Sequence, residues 1–335
     1  MKNFLIQISI FVAIQLLIAA AIYRNSLNQP RFGYMAAFED KVRMLQEHCE
    51  PTLILVGGSN LAFGIDSEIL EDEIRLPTLN GGLHASLGLQ FYLDVASKYA
   101  RRGDTVILSA EFLQFSKLLY PDKKCAKKMM QQSPEGFAQL LTLEGFGFKE
   151  LIDDFALPEI ASQMQAGMKR HDAAREVKKR TKALKPGTYS RLNFNRHGDF
   201  VGHHGLPQAE VIPQLNSQYH FRPKNYAQSV AAINECAVTL EARGVRMFFA
   251  YPPIISRLYE RSRPDIDEIQ EFLKANLDIP ILYELREVSY DLSCFFDTTD
   301  HLNESAKRER TKVLASAIQR QFTALASQGK PKKLR

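Results

Sequence analysis

The feature that most constrains the fold is an alternation. Short aliphatic runs, each closed by small turn residues, are followed by stretches of helical character. The first run, Leu53-Ile-Leu-Val56, leads straight into Gly57-Gly58-Ser59. Four aliphatic residues in a row between turn signals fit a strand buried on both faces. A helix is expected around Ser67–Ile74, then a short strand at Pro77–Asn80 that ends in Asn80-Gly81-Gly82-Leu83-His84. A helix from about Leu89 to Arg101, a turn at Gly103-Asp104 and a strand at Thr105–Ser109 follow, closing on Ala110-Glu111-Phe112. Beyond residue 224 the alternation resumes with an expected helix at Tyr226–Arg243, C-capped by Gly244, and a strand at Val245–Tyr251. A helix at Pro264–Ala275, a strand at Ile279–Tyr283 and a closing helix from Glu304 to Ala326 complete the pattern. Strands that alternate with helices predict an α/β fold with a parallel sheet covered on both faces. Functional groups of such sheets collect at the carboxyl ends of the strands.

Other segments stand apart from this alternation. From residue 120 to 224 the pattern dissolves into lysine-rich helical pieces, a basic run at Lys169–Lys185 and a loop rich in Gly, His, Asn and Pro. A stretch of that length is expected to be a cap or insertion rather than an ordinary connection. Phe4 to Tyr23 carries no formal charge and is long enough to cross a bilayer as a helix. An uncleaved signal anchor is expected there, with a cleaved signal peptide as the alternative, since Ala19-Ala20-Ala21 resembles a small-residue cleavage site. The expected organisation is an anchor and linker over 1–30, one α/β domain over 31–328 carrying the 120–224 insertion, and a basic tail at 329–335. The net charge of +5 lies partly in that tail, and no basic patch interleaved with aromatics argues for nucleic acid. Cys49, Cys125, Cys236 and Cys294 form no CxxC pair, so zinc-site spacing is absent and free thiols are expected. His197, Asp199, His203 and His204 contain metal-ligand chemistry, but their spacing in a Gly-rich loop is not diagnostic, and a polar loop of the cap is expected rather than a metal site.

The chemistry starts from Ser59. A serine on a sharp turn after a buried strand can present a hydroxyl nucleophile, with Gly58 leaving room for a substrate carbonyl. Such a nucleophile needs a base and a group that fixes the base's tautomer. Phe295-Phe-Asp-Thr-Thr-Asp-His-Leu-Asn303 offers both. Asp297 can curl back onto His301 across one turn, whereas Asp300 is adjacent and projects elsewhere.

Together, Gly-Gly-Ser59-Asn-Leu and Phe-Asp297-Thr-Thr-Asp-His301-Leu-Asn resemble the SGNH/GDSL hydrolases, most closely the membrane-anchored extracytoplasmic branch related to cell-envelope acyltransferases such as the D-alanyl transfer protein. The resemblance covers residues 51 to 115 and 226 to 325. It implies a flavodoxin-like, three-layer α/β/α domain with Ser59 as nucleophile, His301 as general base and Asp297 as its orienter. It also implies oxyanion donors from the Ser59 backbone N–H and from Gly82 or Gly81, with Asn80 or Asn60 as candidate substitutes. His84, Glu111 and Asp300 are candidates to line the cleft. The sequence departs from the family pattern where Gly58 replaces the signature Asp and where Asp297 and His301 stand four apart rather than three. The third block reads Ser109-Ala-Glu111-Phe where the family has Gly-x-Asn. A carboxylate there repels an oxyanion unless it is protonated.

The expected function is a membrane-anchored serine esterase or O-acyltransferase, working through an acyl-enzyme without cofactor or metal. Its expected setting is the periplasmic side, acting on an acyl donor and an envelope carbohydrate or polymer acceptor, in contact with an envelope protein complex. The alternative is a catalytically silent scaffold of such a complex, or a polysaccharide-binding module using the basic insertion.

Overall fold

The computed structural model describes residues 2–27, 31–49, 51–143, 173–213, 215–216 and 218–328. Four parallel strands form the central sheet in the order β2-β1-β3-β4: β1 is Leu53–Gly57, β2 Thr78–Asn80, β3 Thr105–Ser109 and β4 Arg246–Phe249. All residues of β1 and β3 are buried, as their aliphatic runs require. After β1 the chain steps to β2 on one side, and after β2 it returns to β3 on the other. That reversal creates a crevice outside the carboxyl ends of β1 and β3, the switch point where doubly wound sheets bind ligands. Register makes the two ends level, because Gly57 pairs with Ser109. Gly57 has φ of 153°, and a Cβ there would lie 2.2 Å from the Ser109 carbonyl oxygen, so only glycine fits where β1 turns out of the sheet.

Two groups of helices enclose the sheet. The helix α2 (Ala37–Glu47) packs on β2, and α5 (Leu89–Tyr99) packs on β1. The long α10 (Pro223–Glu241) packs on α5 and β4. Elsewhere α3 (Ser59–Gly64) and α4 (Ser67–Ile74) carry the closing helix α13 (Glu304–Gln328). The helix α4 begins on an Asp66 cap, whose carboxylate accepts from Ile69 N at 3.3 Å. The remaining helices are α6 (Phe112–Ser116), α7 (Lys123–Gln132), α8 (Pro134–Leu141), α9 (Ala173–Ala183), α11 (Ser256–Arg261) and α12 (Arg263–Asn276).

The expected strand Ile279–Tyr283 shrinks to a single parallel bridge between Ile281 and Phe249. Pro280 has no N–H to donate, so the ladder stops after Phe249 N donates to the Pro280 carbonyl at 3.0 Å and Leu282 N to the Phe249 carbonyl at 2.9 Å. A small parallel pair, β5 (Ile254–Ile255) with β6 (Ser289–Tyr290), was not expected. The expected insertion divides in two. Its first part holds α7, α8 and α9, while residues 144–172, including the start of the basic run, lie outside the described residues. Its second part belongs to the domain core: Phe200 is fully buried against Tyr34, Phe63 and Phe194. All four cysteines are free.

The amino-terminal segment forms α1, Lys2–Leu27. Ile10, Phe11, Leu16 and Leu17 on it are exposed. Among the described residues no helix is long and apolar enough to cross a membrane, so the spanning helix expected over Phe4 to Tyr23 is not found there. The basic tail lies outside the described residues.

Candidate active site

A cavity of about 470 Å³ opens at the switch point, and Ser59, His84, Glu111, Tyr189, Asp300 and His301 all line it. The serine arrives as the first residue of α3, two residues beyond the end of β1, and the carboxyl of Glu111 arrives two residues beyond β3. The level register of Gly57 and Ser109 therefore brings the two side chains face to face. Ser59 Oγ makes a long contact, 3.5 Å, to Glu111 Oε1. The same oxygen accepts from the Asn60 backbone N–H at 3.1 Å. A Cβ on Gly58 would sit 2.3 Å from Glu111 Oε1 and 3.2 Å from the Cα of Ala85, so any larger residue here would have to push the Glu111 carboxyl aside.

The base comes from the loop between Phe295 and Leu302, closed by an antiparallel bridge between those two residues. His301 Nδ1 lies 2.8 Å from Asp297 Oδ1. The Tyr189 hydroxyl donates to the other carboxylate oxygen at 2.7 Å and stands 3.1 Å from Nδ1. The imidazole lies flat on the Phe63 ring, with centroids 3.8 Å apart and planes 4° apart. Proton, carboxylate and ring stack together fix the tautomer with Nδ1–H towards Asp297, leaving Nε2 free to accept a proton. Burial alone would raise the Asp297 pKa, but the His301 hydrogen bond and charge and the Tyr189 hydroxyl outweigh it and hold the carboxyl below its usual value. Among the described residues Ser59 is hydrogen-bonded to Glu111 and not to His301.

Glu111 itself is electrostatically unusual. Burial pushes its pKa up to about 8, helped by the negative charge of Asp300 and partly offset by the hydrogen bonds from Asn60 and Ser59. Burial also raises Asp300, whose carboxylate accepts from Thr299 Oγ1 at 2.9 Å. The carboxyl in the third block is thus a neutral acid at pH 7, able to donate rather than repel.

The other expected oxyanion groups are otherwise engaged. Gly81 N donates to the Leu55 carbonyl at 2.8 Å and Gly82 N to Asn80 Oδ1 at 3.0 Å, so neither N–H faces a substrate. The Asn80 amide, fully buried, donates to Asp199 at 2.8 Å and to the Leu61 carbonyl at 3.0 Å. Asn60, also fully buried, donates to the Ser109 carbonyl at 3.0 Å and to Glu111 Oε1 at 3.4 Å. Both asparagines hold the turn in shape and do not reach the cavity, and only the Ser59 backbone N–H keeps the expected role open. Asp199 is a pin, accepting from Ser67 Oγ at 2.6 Å and Ser67 N at 2.9 Å. His203 is buried against Phe63 and Phe200, and burial first, then the Lys307 charge, lower its pKa to about 3. Among the described residues no cluster of His, Cys, Asp and Glu is arranged to hold a metal.

Sequence reasoning missed Tyr189 and Arg310. Tyr189 lies 108 residues from Asp297, inside the stretch expected to be a cap, and no local pattern marks it. Arg310, fully buried on α13, donates to the Asn60 carbonyl at 2.7 Å and to Ser109 Oγ at 3.1 Å. It ties the closing helix to both strand ends beneath Ser59. No family model matches the chain, and no curated protein matches it.

Proposed function

We propose that the chain is a serine esterase or O-acyltransferase of the SGNH type, anchored by α1 and acting on an acylated carbohydrate or polymer of the cell envelope. The observation that carries the reading is the Tyr189–Asp297–His301 chain brought onto the cavity that holds Ser59 at the switch point. Ser59 Oγ turns from Glu111 to His301 when substrate enters and attacks the ester carbonyl. Nε2 of His301 takes its proton, Asp297 stabilises the imidazolium, and the alcohol leaves with that proton. Water or a carbohydrate hydroxyl then accepts the acyl group from Ser59. The exposed apolar side chains of α1 support attachment to a membrane, and the extracytoplasmic setting rests on the resemblance to the envelope branch of the family.

A second reading, a silent scaffold or polysaccharide-binding module, draws support from the Ser59 contact with Glu111 and from the inward commitment of Asn60 and Asn80. Turnover of p-nitrophenyl acetate separates the two. Hydrolysis by the native chain that falls by at least about 10³-fold in Ser59→Ala and His301→Ala supports the enzyme. No turnover, with envelope polysaccharide binding retained in Ser59→Ala, supports the module.

A further inference from the structure

With the glycine N–H groups and both asparagines committed inward, and with Glu111 Oε1 accepting from Ser59 and Asn60, the described residues considered so far give the oxyanion one fixed N–H donor, that of Ser59, where acyl transfer calls for two. The loop after β2 supplies a different group. It is laced to the nucleophile turn: Leu83 N donates to the Gly57 carbonyl at 3.2 Å, and the Cα of Ala85 lies 3.2 Å from where a Gly58 Cβ would be. His84 sits between these two contacts and lines the cavity beside Ser59. Its Nδ1 accepts the Ser86 backbone N–H at 3.1 Å, so Nδ1 carries no proton and the neutral ring must carry it on Nε2. Its backbone is fixed from both sides by Tyr92, whose hydroxyl accepts from His84 N at 2.8 Å and donates to the His84 carbonyl at 2.9 Å.

We propose that His84 is the second oxyanion donor of this site, its Nε2–H binding the carbonyl oxygen of an ester attacked by Ser59. This rests on the serine-esterase reading above. In the step concerned, Ser59 Oγ forms a bond to the carbonyl carbon and its proton passes to His301 Nε2. The carbonyl π pair moves onto oxygen, and the resulting oxyanion accepts from Ser59 N–H and His84 Nε2–H. Collapse returns that pair, and the alkoxide departs with the proton from His301. Burial first, then the nearby His301 charge, lower the His84 pKa to about 4, so the ring stays neutral while His301 cycles through its imidazolium form. A ring that stays neutral at pH 7 also does not compete with His301 for the serine proton.

Two variants separate this role from the turn that His84 also caps. In His84→Asn the side-chain oxygen still accepts the Ser86 N–H, as in an Asx turn, but the distal donor is gone. In His84→Gln an amide N–H reaches towards the position of Nε2. The expected result for p-nitrophenyl acetate is a kcat about 10²-fold lower in His84→Asn, with KM and melting temperature close to native and partial recovery in His84→Gln. Native kcat in His84→Asn overturns the proposal. So does an equal loss in both variants with a lowered melting temperature, which assigns His84 to the turn alone. Covalent labelling of native Ser59 by a fluorophosphonate keeps the two claims apart. If Ser59 labels while His84→Asn turns over normally, only the His84 role fails. If Ser59 does not label, the esterase reading fails and takes this role with it.

Discussion

Glu111 carries the sharpest residue-scale consequence. Its pKa is raised from 4.5 to about 8, so the folded chain holds a proton that the unfolded chain releases as pH rises through 4.5. Unfolded protein then binds fewer protons than native protein, and stability must fall with rising pH across that window, by up to about 1.4 kcal/mol per unit. Glu111→Gln keeps an acceptor for Asn60 and a donor for the cavity but cannot ionise. Its stability relative to native, read from urea unfolding, is expected to increase from pH 5 to pH 8; parallel pH dependences would show that Glu111 is already ionised. Catalysis should echo this, with a native rate that declines above pH 8 as a carboxylate appears beside the oxyanion, and a decline that is weaker in Glu111→Gln. Tyr189 offers a second check. Removing its hydroxyl in Tyr189→Phe takes a hydrogen bond from the ionised Asp297, and a bond to a charged group is worth about 1.5–3 kcal/mol. The expected fall in kcat is about tenfold; native kcat would mean that Asp297 alone orients His301.

At the scale of elements, the site depends on where β1, β3 and α13 end. Arg310 is the tie between them, and no carboxylate is hydrogen-bonded to its buried guanidinium among the described residues. Arg310→Ala strips four hydrogen bonds from buried backbone and side-chain oxygens, so unfolding free energy should drop by about 3 kcal/mol. A loss under 1 kcal/mol would show that the helix is held by its apolar face alone. The same elements mark what was legible in the sequence. The strands β1 and β3 and the helices α4 and α5 stand where the aliphatic runs and the alternation around them placed them, because those signals are local. Ser59, Asp297 and His301 were legible as types of chemistry and as a resemblance. The inward commitment of Gly81, Gly82 and Asn80 was not, since Asn80 is spent on Asp199, 119 residues away, and no spacing rule encodes that pairing. Tyr189 was hidden for the same reason. The neutrality of Glu111 depends on burial against Asp300, which only the folded chain creates.

For the whole molecule, strand order explains why distant segments meet. A sheet ordered β2-β1-β3-β4 opens at the β1/β3 reversal, and that crevice is where residues from both strand ends, the loop after β2, the 188–206 segment and the turn before α13 converge. A hydroxyl, a neutral acid, a fixed imidazole tautomer and an oriented base share one cavity, an arrangement suited to ester chemistry. The helix α1 adds an exposed apolar arm, and the full chain is expected in the membrane fraction, resistant to high-salt extraction and released by detergent. Recovery in the soluble fraction would contradict the anchor without touching the chemistry. The central claim is that Ser59 is a nucleophile activated by His301. Its most direct test is the mass of the intact chain, and of its peptides, after treatment with a fluorophosphonate. The account predicts one adduct, on Ser59, slowed strongly in His301→Ala and absent in Ser59→Ala; an unmodified Ser59, or an adduct that persists in Ser59→Ala, would contradict it.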